Sequence, residues 1–83
     1  MISKPELKQQ ITSIISETLS IPIEKIEYSS RLGKDLEMDS MDLLDVVAGI
    51  QDFYDITILD HELEYMIFFS GVCDIVEYHL AKK

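Results

Sequence analysis

The chain has 83 residues, 47% of them hydrophobic, and sixteen acids against seven bases give it a net charge of −9. A chain this short buries roughly 60–65% of its unfolded surface, which is one modest core and too little for two, while its apolar content excludes a disordered polymer. Between Lys34 and Lys82 there are twelve acids and no Lys or Arg, which argues against nucleic acid or an anionic membrane as partner, because both demand basic groups.

A basic protein surface is the natural complement of such a charge; an acidic coat kept for solubility is the alternative. The lone Cys73 has no partner for an internal disulfide and no metal-ligand spacing around it, so a reducing, cytoplasmic setting is expected. Residues 1–20 alternate polar and apolar groups, without a signal-peptide core or a membrane-spanning run.

Ser3, Pro5 and Glu6 read as a cap, a first-turn proline and a capping-box acid. Leu7, Ile11, Ile14, Ile15 and Leu19 follow at helical spacing, so a first helix is expected from about Pro5 to Leu19, ended by Pro22. Residues 20–39 form a long connection with Ile21, Ile23, Ile26, Leu32 and Leu36 as anchors and a short helical turn around Ile23–Ile26. Strand alternation is absent there. A connection of this length tends to be functional.

A second helix starts at Asp39–Ser40, either of which caps it. Its buried stripe reads Leu43, Leu44, Val47, Ile50 and Tyr54, widened by Val46 and Phe53, with Gly49 marking a weak spot or a close helix contact. "DITI" (55–58) reads as an extended link. Asp60 is expected to cap a short third helix, "HELEYMIFF", interrupted at Ser70–Gly71. A fourth helix then runs from about Val72 to Ala81, with Val72, Ile75, Val76 and His79 or Leu80 inward and Lys82 and Lys83 at its C-terminal end. The sum is one all-α domain over residues 1–83: a four-helix bundle with a short third helix and a long loop between helices 1 and 2.

The informative stretch is "DLEMDSMDLLDVV", in which Ser40 sits among five acids. A catalytic serine needs a base and an oxyanion pocket, but His61 and His79 fall on other helices and no Gly-x-Ser-x-Gly elbow exists. Asp35, Glu37 and Asp39 alternate like calcium-loop ligands, yet Ser40 stands where that loop needs glycine and Val46 where it needs glutamate. No metal site is expected. A helix cap is the ordinary reading of Ser40, and it leaves the acidic flanks unexplained.

This motif resembles the attachment site of acyl carrier proteins, in which Asp-Ser-Leu opens the second helix. "GIQDFYDITI" is similar to the family's acidic end of helix 2 and the link after it, and "DIVEYHL" resembles its last helix, so the likeness spans nearly the whole chain. The resemblance implies a monomeric carrier rather than an enzyme. A phosphopantetheinyl transferase would move 4′-phosphopantetheine from coenzyme A onto the Ser40 hydroxyl, beside the motif aspartate Asp39, and the arm's thiol would carry acyl groups as thioesters. It further implies that Asp42, Asp45 and Asp52, with Met41 as an apolar contact, face basic patches on the transferase and on acyl-processing enzymes of fatty-acid, polyketide or related pathways. Leu44, Val47, Ile50, Ile58, Leu63 and Met66 are candidates to line an acyl pocket, although such residues at helical spacing are more often core. An unmodified acidic helical interaction module is the alternative function.

Three departures from the family stand out. Leu59 replaces a frequent proline, Gln51 an often acidic residue, and the chain is about three residues longer between Met66 and Val72. Tyr65, Phe68 and Phe69 of that stretch are expected either to enlarge the core or to present an aromatic patch.

Overall fold

Ser3 accepts a hydrogen bond from the Glu6 amide and opens helix α1 (Lys4–Leu19), with Pro5 in its first turn. Its stripe falls inward as expected: Leu7, Ile11 and Ile15 are buried, and Ile14 and Leu19 pack against them. The helix stops before Pro22 is reached. Ser20 turns into the left-handed region, the Ile21 amide donates back to the Ser16 carbonyl, and the Ser16 hydroxyl donates to the Ile21 carbonyl. Together these satisfy the last turn.

The computed structural model describes residues 2–82, in which α2 (Ser40–Tyr54), a 3₁₀ helix (Asp60–Tyr65) and α3 (Phe69–Ala81) complete an all-α arrangement about one apolar cluster. There is no strand among the described residues. The connection from α1 to α2 holds the expected short turn (Ile23–Lys25) and is pinned to the core by Ile26, Leu32 and Leu36, joined by Met38. Ile23, expected as an anchor, is exposed instead. A single antiparallel bridge joins Arg31 to Phe68, and the Leu32 amide donates to the Ile67 carbonyl at 2.9 Å.

The stripe of α2 is narrower than its sequence promised. Val46, Val47 and Ile50 are buried and Leu43 and Tyr54 pack beside them, but Leu44, at 56% exposure, and Phe53 face water. Positions 44 and 53 lie on opposite flanks of the stripe, where one helix face cannot reach the core. Gly49 marks a close approach: a Cβ there would lie 3.2 Å from the Ile14 side chain of α1. The helix ends in Asp55, left-handed at φ 54°, a conformation that aspartate tolerates better than most residues.

The expected third helix is shorter and tighter, and Asp60 does not cap it. Leu59 holds the cap position, and Glu62 closes the turn: its carboxylate accepts the Leu59 amide at 2.9 Å and its own amide donates to the Leu59 carbonyl. Phe68 and Phe69 then belong to the start of α3, so Ser70–Gly71 lies inside a helix and interrupts nothing. The physical reason lies far away in the chain. The Phe69 and Ser70 amides donate to the carbonyls of Ser30 and Tyr28, so backbone from the long loop does the work of a capping side chain. Of the inward positions expected on α3, Val72 and Val76 are buried, with Ile75, His79 and Leu80 partly so; Cys73 is also buried. The C-terminal role expected of Lys83 lies outside the described residues.

Gly71 is required by a crossing. A Cβ on it would land on the Tyr65 carbonyl oxygen, where the 3₁₀ helix passes over the first turn of α3. Gly71→Ala is therefore expected to lower stability by about 1–3 kcal/mol in a denaturant melt, although alanine is the better helix former by about 1 kcal/mol. A more stable variant would contradict the crossing.

Candidate functional site

The start of α2 is built by two aspartates. Asp39 Oδ1 accepts the Asp42 amide at 2.8 Å, and Asp42 Oδ2 accepts the Asp39 amide at 3.2 Å, a reciprocal capping box. Behind it the buried Met38 donates its amide to the Leu32 carbonyl, anchoring the entry to the helix. Ser40, the first residue of α2, is exposed, and no hydrogen bond of the described residues involves its hydroxyl. Asp39 therefore does the capping and Ser40 is left over. At this position the Ser40 and Met41 amides have no intrahelical acceptor, so a free hydroxyl, two free N–H groups and the positive end of a fifteen-residue helix coincide.

Met41, Leu44, Asp45, Ala48 and Asp52 follow on one outward face, at the i, i+3, i+4, i+7 and i+11 positions of α2, and all are exposed. Asp42 stands to one side of that face, held in the capping box. Ala48 was not singled out from sequence; the period that carries Met41 and Asp45 passes through it. Gln51, the residue at an often acidic position, turns back to the chain. Its side-chain oxygen accepts the Ile58 amide at 2.8 Å and fixes the link between α2 and the 3₁₀ helix.

The residues expected to line an acyl cavity are divided. Val47, Ile50, Ile58 and Met66 are closed into the core, Leu63 is partly buried against it, and Leu44 faces solvent. The carboxylates once matched to a calcium loop have other work. Asp35 accepts the Arg31 amide at 2.7 Å, and this bond, with the guanidinium beside it, holds its carboxyl below the usual range. Asp39 is the cap.

Elsewhere the titratable groups are structural. Burial pushes the Cys73 thiol up to about 12, which makes it a packing residue rather than a nucleophile. Burial likewise pushes Tyr54 up to about 12, and its hydroxyl donates to Gln10 at 2.8 Å. His61 is exposed. His79 Nε2 instead meets both oxygens of Glu62, at 2.8 and 3.0 Å, tying α3 to the 3₁₀ helix. This pair was invisible in the sequence, because its members are seventeen residues apart on two elements.

Glu62 is only 6% exposed, and the Leu59 amide first, then His79, hold its carboxyl below the ordinary value of 4.5. A carboxyl lowered by folding adds stability above its unfolded pKa and loses it as pH falls through the folded value. Thermal melts from pH 7 downward should therefore show wild type losing stability on acidification more steeply than Glu62→Gln. Parallel acid limbs would show that the bond is without consequence.

The phosphopantetheine attachment site family matches residues 9–66, which contain α2 and the whole connection before it. An acyl carrier protein of Thermotoga maritima is 35% identical, over 94% of this chain and 93% of its own. Those of Prochlorococcus marinus and Cyanidium caldarium are each 33% identical over 99% of this chain, covering 99% and 92% of theirs. The exposed hydroxyl and free amides at the start of α2 fit a phosphodiester-linked group.

Proposed function

This chain belongs to the acyl carrier protein family, and we propose that Ser40 is the residue that bears its phosphopantetheine arm. The family's members are carriers, not catalysts, and the arm supplies a thiol that holds acyl groups as thioesters. The observation that supports Ser40 is its hydroxyl, exposed and without a hydrogen bond on the first residue of α2, next to a cap already supplied by Asp39.

The roles of the neighbouring residues follow from their positions. On the transferase the Ser40 hydroxyl loses its proton and its oxygen bonds to the phosphorus next to pantetheine as the pyrophosphate bond of coenzyme A breaks and adenosine 3′,5′-bisphosphate leaves. The α2 amides and dipole favour the negative charge of the resulting phosphodiester. Asp39 orients the start of the helix for that reaction. The outward face of Met41, Asp45 and Asp52, flanked by Asp42, meets basic surfaces on the transferase and on the acyl-processing enzymes, where opposite charges speed encounter. Val47, Ile50, Ile58, Leu63 and Met66 part to admit an acyl chain.

The carrier works as one domain over residues 1–83, as a monomer in the cytoplasm. No helix among the described residues is long and apolar enough to cross a membrane. Incubation with coenzyme A, magnesium and a broad-specificity transferase should add one phosphopantetheine to the intact apo protein. No mass gain on a folded, unmodified sample would leave an acidic docking module.

A further inference from the structure

One buried charged pair has no part in attachment at Ser40. Glu62 is buried and its carboxyl is held below the ordinary value, so at neutral pH it is ionised and can only accept. His79 Nε2 therefore carries the proton of the bond, 2.8 Å from one carboxylate oxygen and 3.0 Å from the other. The pair ties α3 to the 3₁₀ helix, which also bears two of the residues expected to admit an acyl chain.

In a 3₁₀ helix residues three apart share a face, so Leu63 and Met66 form one row and Glu62 lies a third of a turn away, against α3. Leu63 and Met66 pack on the same core as Val47, Ile50 and Ile58. A core at protein packing density admits a chain only where an element gives way. The 3₁₀ segment is that element. It has six residues against thirteen to sixteen in the α-helices, and its hydrogen bonds are of the poorer geometry. Both its ends are pinned: the Gln51 side chain accepts the Ile58 amide at 2.8 Å before it, and the Leu32 amide donates to the Ile67 carbonyl at 2.9 Å after it. Glu62 stands midway between these pins, held by His79. The segment can therefore bow outward only as far as that bond allows. Such a bond is lost once its atoms separate by about another ångström, and losing it strips a buried carboxylate of its partner. A short chain fits beneath the intact pair; a long one requires it broken.

We infer that the Glu62–His79 pair is a catch on the 3₁₀ segment that limits the length of acyl chain this carrier shelters, and so suits it to short acyl groups. The inference rests on the carrier reading, with the acyl group held on an arm at Ser40. Glu62 and His79 are positioning residues: they hold Leu63 and Met66, and it is these that meet the chain.

The test loads the chain from acetyl-, hexanoyl- and dodecanoyl-coenzyme A with a broad-specificity transferase, then follows thioester cleavage by hydroxylamine at neutral pH. A sheltered thioester is cleaved slowly. In wild type the hexanoyl form should be cleaved at least fivefold more slowly than the acetyl form, and the dodecanoyl form within twofold of it. His79→Leu removes the donor and should slow dodecanoyl cleavage at least fivefold, with the acetyl rate within twofold of wild type. His79→Gln keeps an N–H for Glu62 and should follow wild type. His79→Ala serves the same purpose should leucine disturb α3. The catch is overturned, and the carrier reading kept, by a wild type that shelters dodecanoyl as well as hexanoyl, or by a His79→Leu variant with the wild-type dodecanoyl rate. It is overturned equally if the acetyl form slows by the same factor, or if His79→Gln behaves as His79→Leu. Failure of wild type to accept any acyl arm would overturn the carrier reading, and the catch with it.

Discussion

Ser40→Ala should abolish phosphopantetheine attachment completely and leave the fold as stable as wild type to within about 0.5 kcal/mol. The two halves of this expectation come from one geometry. A helix-opening serine is ordinarily a cap, and removing a cap costs about 0.5–2 kcal/mol. Here the cap is Asp39, whose carboxylate accepts the Asp42 amide at 2.8 Å, and the Ser40 hydroxyl is outside every hydrogen bond of the described residues. Asp39→Ala should therefore give the complementary phenotype: a melting temperature lower by roughly 4–8 °C per kcal/mol lost, with a hydroxyl still present to be modified. Paired melts and mass spectra of the two variants separate stability from chemistry. A Ser40→Ala variant that melts like Asp39→Ala would mean that the serine is a structural cap after all.

Phe69→Ala should be the most damaging of the exchanges considered for stability, at about 3–5 kcal/mol. A domain of this length has a total stability of only about 4–12 kcal/mol, so the exchange should remove from about a quarter to all of it. The side chain is 0% exposed, meets the Tyr28 ring at a tilt with centres 5.9 Å apart, and sits where α3 begins against the long loop. Phe68→Ala, one residue earlier and half in water, should cost under about 1 kcal/mol. Denaturant midpoints compare the two directly. Equal losses would mean that the adjacent aromatics share the core.

The helices with strong local signals were legible in sequence. Ser3, Pro5 and Glu6 announced the start of α1, and Asp39–Ser40 announced α2 without deciding which of the two caps it, because these signals act within three residues of where they stand. The motif around Ser40 was legible through its resemblance to the family's attachment site, and the family model matches the stretch that contains it. What failed depended on partners distant in the chain. The start of α3 at Phe69 is set by carbonyls of Tyr28 and Ser30, so Ser70–Gly71 read as a break and the helix was expected only from about Val72. The 3₁₀ helix is closed by Glu62, which also meets His79 across seventeen residues, so Asp60 looked like the cap. Leu44 and Phe53 were apolar enough to be read as core, but hydropathy cannot tell a core flank from a contact face kept in water. Leu44 stands exposed beside Met41 and Asp45 on the outward face of α2.

The central claim is the identity of the modified residue, and the chain offers a clean way to read it. With no Lys or Arg between Lys34 and Lys82, trypsin releases Asp35–Lys82 as one peptide. This peptide contains Ser40 together with Ser70 and Thr57 as competing hydroxyls. Fragmentation of that peptide after incubation with transferase, coenzyme A and magnesium should place a single phosphopantetheine on Ser40. A modification found on Ser70 or Thr57, or a fully folded apo protein that takes none, would contradict the account.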